Sequence, residues 1–212
     1  MKTLEDLLAG YQQFFTQNFV DHPNPIYTQL AEEGQAPRVM VLSCSDSRVD
    51  PATITQAGPG EIFACRNVAN LVPPYHRADG MEHGTVSALE YGVCNLGVEH
   101  LVVMGHTHCG GIRALMEQVR FDDNSFVPAW LAVAEEARAQ VSEAMAGASL
   151  DDQAAQCEKV AIAVSLNNLL TYPWIEERVR ADTLTLHGWR FNIHSGALEQ
   201  LARLDHMNLL DL

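Results

Sequence analysis

Two short apolar runs constrain this chain more than anything else in it. Arg38-Val-Met-Val-Leu-Ser43 follows Pro37, and His100-Leu-Val-Val-Met104 runs into Gly105. Both are too short for a helix, and both read as strands buried on their two faces. Such strands belong to parallel sheets covered by helices. Further strands are expected at Glu61-Ile-Phe-Ala-Cys65 and from Leu184 to Ile193. Helical patterns fill the intervals: 3–19, 24–33, 84–96 (Val86, Leu89, Val93 and Leu96 on one face), 110–119, 127–146, 151–170 and 173–180. Pro173 suits an early helical position in the last. The fold class expected is α/β, a central mostly parallel β-sheet flanked by helices.

The 212 residues suit one domain, 1–212, with residues 1–34 as an N-terminal helical arm. With 47% hydrophobic and 19% charged residues, the chain can build a sizeable core. A formal net charge of -14 argues against nucleic acid or an anionic membrane as partner. No apolar run approaches the roughly 20 residues of a membrane-spanning helix. The opening MKTLEDLLAGYQQFFTQNF lacks the pattern of a signal peptide, so a cytoplasmic setting is expected. The five cysteines, Cys44, Cys65, Cys94, Cys109 and Cys157, are odd in number and widely spaced, which argues against a disulfide framework.

Chemistry concentrates just past the two strands. Cys44-Ser-Asp-Ser-Arg48 follows the first, and Gly105-His-Thr-His-Cys-Gly-Gly111 follows the second. In open α/β sheets, ligands gather beyond the carboxyl ends of the strands. If the strands are neighbours, Cys44 meets His106 and Cys109. Two thiolates and an imidazole suit zinc, and three protein ligands leave one tetrahedral position open. Gly110 and Gly111 would let the turn take positive φ or approach the metal closely. Asp46, held by Arg48, could accept a hydrogen bond from water at the open position. Zinc lowers the pKa of its bound water to about 7, so hydroxide could form near neutral pH and attack an electrophilic carbon. On these residues alone, catalytic zinc, a structural metal and plain burial all stay open.

Those five residues, Cys44, Asp46, Arg48, His106 and Cys109, match the pattern of the β-class carbonic anhydrases, which the sequence resembles from about residue 25 to 200. Gln35-Ala-Pro37, Phe63-Ala-Cys-Arg-Asn-Val-Ala-Asn70, Ser87-Ala-Leu-Glu-Tyr91, Val102-Val-Met-Gly-His106 and Gly188-Trp189 are similar to family blocks. The resemblance implies reversible hydration of CO2 to bicarbonate and a proton. One Zn2+ per subunit would be held by Cys44, His106 and Cys109. Asp46 and Arg48 would be the dyad beside it, Asp46 becoming a fourth ligand in a closed state. Gln35 would donate to bound substrate. Phe63, Val68 and Tyr91 would wall the CO2 pocket, Tyr91 from the partner subunit. A homodimer or higher homo-oligomer is implied, with the N-terminal arm packing on a partner subunit. The family's bicarbonate-regulated branch carries a tryptophan where this chain has Val41, so bicarbonate control through Val41 and Arg66 is not expected.

Other readings share these residues. A carbonyl sulfide or carbon disulfide hydrolase could use the same zinc, and a structural or redox zinc protein would need no Asp46–Arg48 pair. Cys-based phosphatase chemistry fails on spacing, since Asp50 stands where its arginine should be. Adjacent residues usually point apart and the family pattern selects His106, so His108, next to Cys109, is not expected to ligate. Cys65, Cys94 and Cys157 are expected in the core. His76 and His83 are expected at the surface, and His187 and His194 within a strand. Arg66 could pair with a buried acid.

Overall fold

The computed structural model describes residues 1–76 and 84–208. His83 lies outside the described residues. The chain divides into two compact units, Met1–Gln35 and Ala36–Leu212.

The first unit holds two helices. α1 spans Leu4–Phe15, and Thr3 opens it with a capping box: its hydroxyl accepts from the Asp6 amide at 3.2 Å, and its own amide donates to the Asp6 carboxylate at 2.8 Å. The helix expected to reach residue 19 changes pitch earlier, widening to a π-turn over Thr16–Asp21. α2 spans Pro25–Glu33, with Asn24 capping the Ile26 amide and Pro25 in the first turn. Phe14 packs edge-on against Tyr27 at 5.6 Å, and Phe15 stacks on Phe19 at 5.7 Å. No residue of α1 is buried.

The second unit runs β1 (Val39–Cys44), α3 (Pro51–Thr55), β2 (Ile62–Asn67), α4 (Gly84–Glu90), β3 (His100–His106), α5 (Gly110–Met116), α6 (Val127–Leu131), α7 (Glu135–Ala144), α8 (Leu150–Leu170), α9 (Pro173–Arg180), β4 (Thr185–Phe191) and β5 (Leu198–Leu204). These strands form one sheet in the order β2-β1-β3-β4-β5. All pairs are parallel except β4–β5, which is antiparallel with a bulge at Gly188/Trp189. The expected mostly parallel sheet is therefore present, and β1 and β3 are neighbours, with Val41 opposite Val102 and Ser43 opposite Met104. That register brings the Cys44 and His106 ends of the two strands together.

α8 crosses β3 and β4, and the sheet meets it with glycines. A Cβ at Gly188 would lie 2.9 Å from Ile162 Cγ2, and one at Gly105 would lie 2.8 Å from Ile162 Cδ1. Met40, Leu42, Leu101, Val103 and Leu186 pack under Ile162, Leu166 and Leu169 on this face. A second apolar cluster joins Cys44 and Cys109 to Ile112, Leu131, Val141 and Cys157. On the other face of the sheet lies a small cluster of Val41, Val102 and Met104 beneath Ile54 and Trp189.

Several boundaries differ from expectation. The 127–146 helix is two helices joined by a tight turn at Ala132–Ala134. The 84–96 helix widens to a π-turn at Tyr91–Asn95, and α5 stops at Met116. β4 ends at Phe191, so His194 sits in the following turn, while His187 is in the strand. Cys157 is buried and Cys65 half-buried, but Cys94 is exposed on the π-turn. β5 was not expected at all.

Candidate metal centre

Cys44 is the last residue of β1, His106 the last of β3, and Cys109 immediately precedes α5. Their ligand atoms lie within 4.8 Å of one another, and all three side chains are buried. A tetrahedral zinc with bonds of about 2.0–2.3 Å needs ligands at this separation. The imidazole is already committed to one tautomer. Its Nδ1 lies 2.9 Å from the Thr107 carbonyl, which can only accept, so Nδ1 carries the proton. Nε2 is left as a buried lone pair with no hydrogen-bond partner. Burying such an atom is costly unless something binds it.

The sulfurs are arranged to carry negative charge. Cys44 is drawn down to about 4 by the Cys109 thiol first, against burial, and then by the amides of Asp46 and Ala69. Cys109 is pushed up by the Cys44 thiolate beside it and by burial, although the Gly111 and Ile112 amides pull the other way. Without a cation the pair holds one negative charge; a dication between them would allow two. The donor set and the orphaned nitrogen thus fit zinc.

The loops are fixed from several sides. His108 takes the left-handed conformation, φ 56°, so the expectation of positive φ at Gly110 or Gly111 is corrected. Gly111 serves close approach instead: a Cβ there would sit 3.0 Å from Ala69 Cβ and 3.1 Å from Val68 Cγ1. Ala69 and Asn70 are themselves left-handed, with φ 64° and 50°. That strained turn is held by Asn67, whose side chain accepts the Leu71 amide and donates to the Leu71 carbonyl, both at 2.9 Å. Trp130 Nε1 donates to the Val68 carbonyl at 2.7 Å.

Asp46 and Arg48 form a fork. Arg48 Nε donates to Asp46 Oδ1 at 2.9 Å and Nη2 to Oδ2 at 2.6 Å, while the Arg48 amide also donates to Oδ1 at 2.9 Å. Nη2 further reaches the His108 carbonyl at 3.1 Å, tying the two motifs together. These Arg48 hydrogen bonds hold the Asp46 carboxyl well below the usual carboxylate range. Asp46 Oδ2 stands 3.9 Å from His106 Nε2, at the edge of the trio.

Of the expected pocket residues, Phe63 and Tyr91 lie together with ring centroids 5.9 Å apart. Val68 lines a cavity of about 660 Å3 with Phe126 and Trp130, and a Cβ at Gly111, two residues past Cys109, would lie 3.1 Å from its Cγ1. Gln35 is the last residue of the first unit. The His108 side chain is exposed and outside the trio. Arg66 binds backbone more than acid: it donates to the carbonyls of Cys44 at 3.0 Å, Asp46 at 2.8 Å and Val49 at 3.1 Å, with Asp50 at 3.3 Å. Val41, opposite Ala64 in the β1–β2 register, is buried against Val102 and Met104.

Sequence reasoning missed Glu158 and Arg190. Glu158 accepts the Cys109 amide at 3.1 Å and pairs with Arg190 at 2.7 Å, both side chains being buried. One signal was available. Glu158 is a charged residue in phase with Ala154, Ala161 and Ile162 on the apolar stripe of α8, where a carboxylate must find a partner.

A profile of the carbonic anhydrase family matches residues 39–198. Over 167 residues the chain is 43% identical to β-carbonic anhydrase 5, a chloroplastic protein of Arabidopsis thaliana; the match covers 78% of this chain and 54% of that protein. The solved β-carbonic anhydrase CcaA superposes with a TM-score of 0.84 at 32% identity, over 93% of this chain and 86% of that one. One of two tetrameric β-carbonic anhydrases from Sordaria macrospora gives 0.74 at 28% identity, over 93% of each chain. Buried Cys-His-Cys donors, the carboxylate fork beside them and a match across three-quarters of its length agree: the chain belongs to the β-carbonic anhydrase family.

Proposed function

We propose that this chain hydrates carbon dioxide reversibly to bicarbonate and a proton, using one zinc held by Cys44, His106 and Cys109. The observation that carries the reading is the coexistence of an orphaned metal-ready trio with an acceptor-only carboxylate at its edge. Zinc, when bound there, supplies the Lewis acidity that brings the ionisation of water toward neutral pH. Two thiolates would blunt that acidity. The amides of Asp46 and Ala69 on Cys44, and of Gly111 and Ile112 on Cys109, draw charge back out of the sulfurs.

Asp46 Oδ2 can only accept, so it orients the attacking hydroxyl by taking its O–H and leaves an oxygen lone pair for the carbon. Arg48 keeps that carboxylate ionised and stops it rotating. Phe63, Tyr91 and Val68 offer apolar walls to a linear, uncharged substrate, and Gln35 an amide donor to the product oxygens. Should Asp46 leave the fork it could instead occupy the fourth metal position, closing the site.

A homo-oligomer is proposed on two grounds. Related structures are described as tetrameric. The first unit also exposes Leu4, Leu8, Phe15 and Phe19, an apolar face suited to a partner subunit. Five free cysteines fit a reducing compartment such as the cytoplasm. No helix among the described residues is long and apolar enough to cross a membrane.

Stopped-flow CO2 hydration tests the activity, with metal analysis of the same sample. Stoichiometric zinc with no hydration anywhere over about pH 7–9, the range in which zinc-promoted ionisation of water would occur, would sink the reading. Asp46→Ala should keep zinc and lose about 100-fold or more in kcat, as removal of a positioned proton acceptor does. Carbonyl sulfide consumption that exceeds CO2 hydration would favour the alternative substrate on the same site.

A further inference from the structure

We infer that Glu158 is a positioning residue for the metal centre, acting through the backbone of Cys109; this rests on the zinc reading above. The Cys109 amide precedes α5 and has no place in that helix's own hydrogen-bond ladder. Glu158 Oε1, arriving from α8, accepts it at 3.1 Å. The other oxygen, Oε2, receives Arg190 Nη2 at 2.7 Å and Nε at 3.2 Å from β4. Arg190 also reaches Glu199 on β5 at 3.5 Å. Glu158 is 4% exposed and Arg190 6%. The candidate ligand loop is therefore tied to the helix above the sheet and to the two strands beyond β3.

Stability alone does not account for the pair. A buried ion pair is often matched or bettered by apolar side chains of the same volume. What leucine and methionine could not supply is a fixed acceptor for the Cys109 N–H. Restraint is needed here, because a cavity of about 250 Å3 bordered by Cys109, Glu158 and Arg190 leaves the loop room to shift. The left-handed His108 immediately before Cys109 also leaves the loop no regular structure of its own. Arg190 neutralises Glu158, so the acceptor is provided without a net negative charge beside the Cys109 sulfur.

The test uses the zinc-loaded full chain and reads zinc release to the chelating dye pyridylazoresorcinol, together with the absorption spectrum of the cobalt(II)-substituted protein. Glu158→Leu/Arg190→Met removes charge and acceptor together. It is expected to fold, by circular dichroism, and to release zinc about 10- to 100-fold faster with a shifted cobalt spectrum. Glu158→Gln/Arg190→Met keeps an amide oxygen in place and is expected to restore near wild-type release. Wild-type release from the first variant, or equally fast release from both, would overturn the inference. If the leucine variant does not fold, Glu158→Asp retains the pair but withdraws the acceptor by one methylene. It should then release zinc faster than wild type, and an unchanged rate would overturn the inference. A wild-type protein that fails to take up zinc would instead sink the metal reading itself, which is a separate result.

Discussion

At the scale of single residues, chemistry and structure separate cleanly between the trio and the fork. Cys109, a proposed zinc ligand, lies at 2% exposure, so no solvent ligand could replace its sulfur at low cost. Cys109→Ala is expected to lose zinc, as read by metal analysis after dialysis. Arg48 touches no candidate ligand side chain; it holds Asp46 and the His108 carbonyl. Arg48→Ala should keep stoichiometric zinc while kcat falls about 100-fold, and an unchanged rate would remove Arg48 from the machinery. A different residue contributes to acid sensitivity. His187 packs against His100, with Nε2 and Nδ1 3.3 Å apart. Burial first, then His100 and Arg203, push its pKa down from 6.5 to about 4, with Asp205 opposing. The folded state thus binds this proton less readily than the unfolded chain. Stability associated with His187 is intact above about pH 6.5 and is lost as pH falls toward about 4. Thermal melts of wild type and His187→Gln across that window should converge at the acid end. Parallel decline of the two would show that His187 is not the titrating group.

At the scale of elements, what was legible followed from patterns that burial enforces. Strands β1 and β3 read plainly because both faces are covered, leaving unbroken apolar runs. α8 read plainly through its length, and α9 through Pro173 at its start. β5 did not. Leu198, Leu201 and Leu204 recur every third residue amid Glu, Gln, Ala and Arg, a composition that favours helix, yet pairing with β4 makes the segment an edge strand. The overlooked signal was the turn before it. Asn192 accepts the His194 and Ser195 amides, and Gly196 takes φ 74°, so the chain reverses there. The candidate ligands and the fork were visible as motifs, whereas the Cys109 amide that Glu158 accepts lies 49 positions away, a partner that no local pattern encodes. Gly188 looked like part of a family block and is in fact where α8 touches the sheet. Gly188→Ala would press Ile162 Cγ2 at 2.9 Å and Leu166 Cδ1 at 3.0 Å. A loss of about 1–3 kcal/mol in urea unfolding at fixed protein concentration is expected. A neutral result would mean that α8 moves freely off the strands.

At the scale of the whole molecule, the first unit exposes apolar side chains along α1. α1 buries none of its residues, although Leu4, Leu7, Leu8, Tyr11 and Phe15 lie along it. An isolated helix of 12 residues is marginal in water, and capping by Thr3 adds only about 1 kcal/mol. The aromatic contacts among Phe14, Phe15, Phe19 and Tyr27 steady the unit but leave its apolar face to solvent. Such a face persists at a net charge of -14 only if something covers it, because charge repulsion limits aggregation without stabilising the helix. A second copy of the chain is the proposed cover. Leu8→Glu/Phe15→Glu places two carboxylates on that face and leaves the second unit's residues untouched. Sedimentation velocity at micromolar concentration should then show a smaller species than wild type. Helical signal should fall with it, since the arm would lose the surface that holds it folded. A wild-type sedimentation coefficient for the variant would mean that the assembly forms without the arm, through surfaces of the second unit alone.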